Sequence, residues 1–75
     1  MNAQRRKYIM KAIGMVADAR SYLEEALQEE QEAFDNMPEN LQYSERGERM
    51  EECIARLEDM VSYCEDIESW EEEGY

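Results

Sequence analysis

Two stretches of three-and-four spacing, divided by the chain's one proline, leave few folds open. In the first, Ile9, Ala12, Val16, Ala19, Leu23, Ala26, Glu30 and Ala33 alternate steps of three and four. That is the seam of an amphipathic helix. Ile13, Leu27 and Phe34 widen the seam on one side, and Tyr8, Met15 and Tyr22 on the other. A face this broad suits a helical bundle better than a two-stranded coil. Gly14 is a mild defect within it, costing about 1 kcal/mol relative to alanine. In the second stretch Met50, Ile54, Leu57, Val61 and Cys64 repeat the spacing, broadened by Cys53, Met60 and Ile67.

Between them, Asp35-Asn36-Met37-Pro38 interrupts the pattern, and a residue that precedes proline avoids helical dihedrals. Pro38 to Gln42 fits one short turn, with proline at its first position. Ser44 is placed as an N-cap, followed by Glu45 and Glu48 in the first turn. Helix 1 is therefore expected near residues 4–36, the turn over 37–43 and helix 2 near 44–73, ended by Gly74. A connection this short favours antiparallel neighbours. The charges agree. Arg5, Arg6, Lys7 and Lys11 at the start of helix 1 oppose that helix's dipole, as do Glu65, Asp66, Glu68, Glu71, Glu72 and Glu73 at the end of helix 2. An antiparallel hairpin sets one misfit beside the other. The expectation is one all-α domain over residues 1–75, a two-helix hairpin whose broad faces dimerise into a four-helix bundle.

Length sharpens that expectation. At 75 residues a domain buries only about 60% of its unfolded surface, and chains this small lean on disulfides, a metal or oligomerisation. Cys53 and Cys64 stand eleven residues apart on one helix, roughly 16 Å at about 1.5 Å per residue, beyond the ~7 Å limit for a bridge. They read as small buried hydrophobes. There is no histidine, and two cysteines on one helix close no four-ligand site, so neither metal nor other cofactor is expected. No secretory leader pattern or run of 18 apolar residues occurs, which points to the cytoplasm and away from a membrane.

Charge narrows the partners. Twenty acids face eight bases, a net of −12. Residues 1–17 carry four bases and no acid, a net of +4; residues 18–75 carry four bases and all twenty acids, a net of −16. Such a body repels nucleic acid and anionic membranes. Catalysis is not expected: no serine, cysteine or tyrosine sits beside an evident base, and acids are too many for any pair to stand out.

Three side-chain sets remain as candidate sites. Glu51, Glu58, Glu65 and Glu72 recur every seven residues, beside a second column holding Glu52, Asp59, Asp66 and Glu73. This acidic stripe is either a mimic of the DNA backbone or a solvated face that keeps a small bundle dispersed. Arg49, Arg56, Tyr63 and Trp70 form a third column just off the seam. Arg, Tyr and Trp dominate binding hot spots, so this column either meets a partner protein or packs at the bundle's own interface. The basic start, with Arg5, Arg6, Lys7, Tyr8 and Lys11, is either an anion site built from several chains or half of the charge pairing described above.

Around the turn, Ala33-Phe34-Asp35-Asn36, Pro38-Glu39, then Leu41-Gln42 and Ser44-Glu45-Arg46-Gly47-Glu48 resemble a family of small acidic helical-hairpin proteins of bacteriophages and prophages. The resemblance covers about residues 24–62. It implies a phage or mobile-element protein in the bacterial cytoplasm, and very small proteins of that kind often block host defence. It also implies that Phe34, Asp35, Asn36, Pro38 and Gly47 shape the turn, with Gly47 allowing close approach beneath Phe34 or Tyr43. The leading expectation is a non-enzymatic accessory protein that inhibits a host protein, a component of anti-phage defence being the candidate target. The alternatives are an oligomeric sponge for an anionic nucleotide signal, held at the basic N-termini, and an acidic DNA mimic or structural accessory.

Overall fold

A computed structural model describes residues 2–70, and among them every regular element is helical. The long first helix, α1, spans Ala3–Asp35, the short α2 spans Glu39–Gln42, and α3 spans Glu45–Glu68. α3 runs back along α1, giving an elongated hairpin 58 Å long and 17 by 14 Å across.

Local chemistry sets each boundary. Asn2 opens α1 by accepting from the Arg5 N–H at 2.9 Å, and Asn36 closes it by donating its N–H to the Glu32 carbonyl at 3.0 Å. Pro38 leaves the chain extended and begins α2. Gln42 then ties the turn together: its Nε2 donates to the carbonyls of Phe34 at 3.1 Å and Met37 at 3.2 Å. Ser44 caps α3 by accepting from the Gly47 N–H at 3.3 Å, satisfying one of the orphan donors of a helix start. The expected cap and the proline-led turn are both present.

The turn closes on Gly47. A methyl group there would lie 2.2 Å from the Gln42 carbonyl oxygen and 2.7 Å from that of Leu41. The close approach anticipated for this glycine is thus, at its nearest, to the backbone of α2. α3 also stops earlier than its spacing suggested. It ends at Glu68, with Ser69 donating its N–H to the Glu65 carbonyl at 3.0 Å. Trp70 lies past the helix, and Glu71, Glu72, Glu73 and Gly74 lie outside the described residues.

The face that α1 turns to α3 is the second surprise. Apart from Arg6 and Ala17, the half-buried positions of α1 are Ile9, Ile13, Val16, Arg20, Leu23, Leu27, Glu30 and Phe34. Ala12, Ala19, Ala26 and Ala33, which the spacing placed in the seam, are exposed instead, and Ile13, Leu27 and Phe34, expected at its edge, take their place against α3. On α3 the seam is Gly47, Met50, Ile54, Leu57, Val61, Cys64 and Glu68. Cys53 is not a buried thiol: it is exposed, its Sγ 4.0 Å from a Glu30 carboxylate oxygen.

The core is thin. Among the described residues Ile54, at 7% exposure, is the one buried hydrophobic side chain. A compact monomer of this mass has about 4,850 Å² of accessible surface, whereas the hairpin presents 6014 Å². More than about 1,000 Å² therefore faces solvent beyond what a compact fold of this size leaves exposed.

Candidate binding surfaces

The hairpin has two unlike flanks. In an antiparallel pair, the positions just outside the seam on one side of each helix meet each other, and those on the other side do likewise. On one flank these positions are Ala12, Ala19 and Ala26 of α1 and Cys53, Met60 and Ile67 of α3. An open apolar groove of about 350 Å³ joins the two helices there, lined by Ile9, Ala12, Ile13, Asp66, Ile67 and Trp70. One step further out stand Tyr8, Met15 and Tyr22 on α1, all highly exposed, with Tyr22 at 76%. Arg49, Arg56 and Tyr63 occupy the matching step on α3 and are exposed. Trp70, half-buried past the helix end, borders the groove.

The opposite flank is acidic. An open groove of about 620 Å³ runs between the helices there, with Glu24, Glu25 and Glu32 from α1, Glu58 from α3, and Leu27 among its walls. Glu51 and Glu65 continue the Glu58 column. Glu52, Asp59 and Asp66 lie about 100° further round α3: Glu52 and Asp59 share an open groove with Arg49, Cys53 and Arg56, and Asp66 lines the apolar groove; all are exposed. Glu72 and Glu73, the remaining members of the stripe, lie outside the described residues. Seven residues rise about 10.5 Å, so these acids form a regular ladder along α3.

The basic start is spread around α1 instead of gathered. Arg5, Lys7, Tyr8 and Lys11 are exposed, while Arg6 is half-buried. The described charge contact between the end of α3 and α1 comes from further along: Arg20 holds Glu68, and Glu24 shares the same guanidinium. Arg49 pairs with Glu45 at 3.2 Å, an exposed pair one turn apart that contributes little. Sequence reasoning missed Arg20. Its signal was present, since a lone arginine at a seam position among Ile, Val and Leu calls for a carboxylate on the facing helix.

No helix among the described residues is long and apolar enough to cross a membrane. Comparison with known proteins finds no matching family model, no matching curated protein and no matching solved structure.

Proposed function

We propose that this chain is a non-enzymatic binding protein, an accessory factor of phage type that inhibits a host protein, with a component of anti-phage defence as its target. The hairpin works as a homodimer, a four-helix bundle in the host cytoplasm. One observation carries the reading: the two flanks differ in chemistry, one apolar and one acidic. With a single buried hydrophobic side chain among the described residues, the hairpin gains core by covering its apolar flank. The acidic ladder stays in solvent and meets a basic surface by charge complementarity.

Of the two uses set out for the Arg49, Arg56, Tyr63 and Trp70 column, its position favours packing at the bundle's own interface. The column runs along the apolar flank and not along the acidic one. Host contact then falls to the Glu51, Glu58 and Glu65 column, while Glu52, Asp59 and Asp66 of the predicted stripe stand on the side of the Arg49 column. The phage context rests on the resemblance of the turn segment.

The test is phage plating on defended bacteria that express the protein. Glu51→Lys, Glu58→Lys and Glu65→Lys together are expected to abolish inhibition while helicity and oligomer mass stay as in the natural chain. Inhibition that survives this triple reversal sinks the acidic contact. Loss of inhibition in Tyr63→Ala with Trp70→Ala, at unchanged oligomer mass, moves the host contact to that column.

A further inference from the structure

α1 carries two apolar stripes, and only one of them is used within the chain. The first, from Ile9 to Phe34, faces α3. The second is Tyr8, Ala12, Met15, Ala19, Tyr22 and Ala26, again in strict steps of four and three, and every member is exposed. Each position of the second stripe precedes one of the first by a single residue, so at 3.6 residues per turn the two stripes lie about 100° apart around the helix. A helix with two seams near a right angle is built for the corner of a four-helix bundle, where it has two neighbours. α3 repeats the spacing with Cys53, Arg56, Met60, Tyr63 and Ile67, all exposed and all apolar but for Arg56.

We infer that the second stripe is the seat of a second copy of this chain, with the two α1 helices antiparallel and the hairpin loops at opposite ends. This deepens the bundle reading given above and rests on it. Three features single out a copy of the same chain as occupant. The first is charge. Residues 3–17 of α1 hold four bases and no acid, while residues 18–31 hold five acids and one base. The halves are equal and opposite, net +4 and net −4, so an antiparallel copy lays each half on its complement, and a parallel copy lays like on like.

The second is shape. A two-fold axis passing near Ala17 sets Tyr8 against Ala26 of the second copy, Ala12 against its Tyr22, and Met15 against its Ala19. Each layer matches a large side chain to an alanine, which lets the backbones approach closely while the large side chains fill the space. The groove that joins Ala12 to Ile67 fixes the stagger between α1 and α3. Through it the same axis brings Met60 opposite Tyr63 of the second copy.

The third is size. A hairpin 58 by 17 Å offers a footprint that reaches the roughly 800 Å² per partner of a stable, specific interface. The surface it holds in excess of a compact monomer is of that same order.

The experiment uses the full chain. Its mass in solution is measured by sedimentation or light scattering, with twice 9.0 kDa expected. Ala12→Cys and Tyr22→Cys are then made separately in a Cys53→Ala, Cys64→Ala background, one of them tagged. After mixing and mild oxidation, the cross-link expected is between Ala12→Cys of one copy and Tyr22→Cys of the other. Neither variant alone should link to itself, because like positions sit about ten residues apart along the axis, roughly 15 Å. A mass of 9.0 kDa overturns this inference and the bundle reading together. A dimer in which either variant links to itself, or in which the mixed link fails to form, overturns this face and orientation and leaves the bundle standing. The triple reversal on α3 reads the host contact independently of both.

Discussion

Arg20, midway along α1, grips Glu68, the last residue of α3, with two nitrogens. Its Nε donates to one carboxylate oxygen, and its Nη2 donates to the other at 3.0 Å. This fork is a charge contact that ties the far end of α3 to α1. Glu65, Asp66 and Glu68 crowd the C-terminal turn of α3, where the helix dipole disfavours negative charge and no basic residue stands in the last turn. Arg20 supplies the missing positive charge from the neighbouring helix.

That fork predicts a pH signature. The hydrogen bond from Arg20 holds the Glu68 carboxyl below its ordinary titration range, against the smaller opposing effect of desolvation. In the unfolded chain Glu68 titrates at its ordinary value, so as the pH falls the unfolded state takes up the proton first. The contribution to stability is complete above that unfolded value and is lost as the pH drops through the lower, folded one. Glu68→Gln is therefore expected to lower the melting temperature at neutral pH. The gap from the natural protein should close as the medium is acidified below the range of free carboxylates. Thermal melts of both proteins from neutral to acid pH read it, and a gap that does not narrow on acidification refutes the assignment.

Two glycines should respond in opposite directions. A Cβ at Gly14 meets nothing within 4 Å, whereas one at Gly47 meets the Gln42 carbonyl oxygen at 2.2 Å. Gly14→Ala should stabilise by about 0.5–1 kcal/mol, since it removes backbone entropy from the unfolded chain at an exposed helical position. Gly47→Ala must push α2 away from α3 and is expected to cost about 1–3 kcal/mol, as overpacking does. Denaturant unfolding of the pair measures both. Equal effects would mean that α2 yields freely to α3.

The contrast between these glycines also marks what was legible in the sequence. Helix extents near the turn, the Ser44 cap and the proline-led α2 were readable because each is decided within four or five residues. The choice of seam was not. Periodicity finds apolar stripes but cannot rank two that lie side by side on one helix. Here the stripe that faces α3 holds Ile9, Ile13, Val16, Leu23, Leu27 and Phe34 beside Arg20 and Glu30, while the exposed one contains Ala12, Ala19 and Ala26; a seam drawn by spacing alone took alternate residues from each. Arg20 belongs to the seam only because Glu68, 48 residues away, accepts it. Trp70 was misplaced for a related reason: heptad counting carries a helix onward through residues whose acids oppose its dipole, and α3 ends at Glu68. Gly47 was rightly singled out as a point of close approach, but its neighbour depended on how α2 folds back.

Ser44 should account for a measurable share of stability. Its hydroxyl accepts from the Gly47 N–H and donates to the Leu41 carbonyl, so one side chain serves both the start of α3 and the end of α2. Ser44→Ala removes both bonds and is expected to cost about 1 kcal/mol, up to about 2. Ser44→Asp keeps the acceptor and suits the helix dipole but cannot donate to Leu41, so it should fall between the two. Unfolding free energies in the order Ser, Asp, Ala test this. Asp equal to Ser would show that the bond to Leu41 contributes nothing.

Gln42 offers the sharpest test of the turn. Its amide nitrogen donates to the carbonyls of Phe34 and Met37, and it occupies a half-buried position against them. Gln42→Met keeps the length of the side chain and gives up both bonds, leaving two carbonyls without this donor, a loss of about 1–3 kcal/mol. Gln42→Glu at neutral pH does worse, because an ionised carboxylate only accepts and would face two other acceptors. On acidification the new carboxyl gains a proton and becomes a donor to one of them. The Glu variant should thus be less stable than the Met variant at neutral pH and approach or pass it in acid. Parallel melts of both variants across that range check the order, and a Glu variant that stays the more stable of the two at neutral pH would show that the Gln42 amide does not hold this turn.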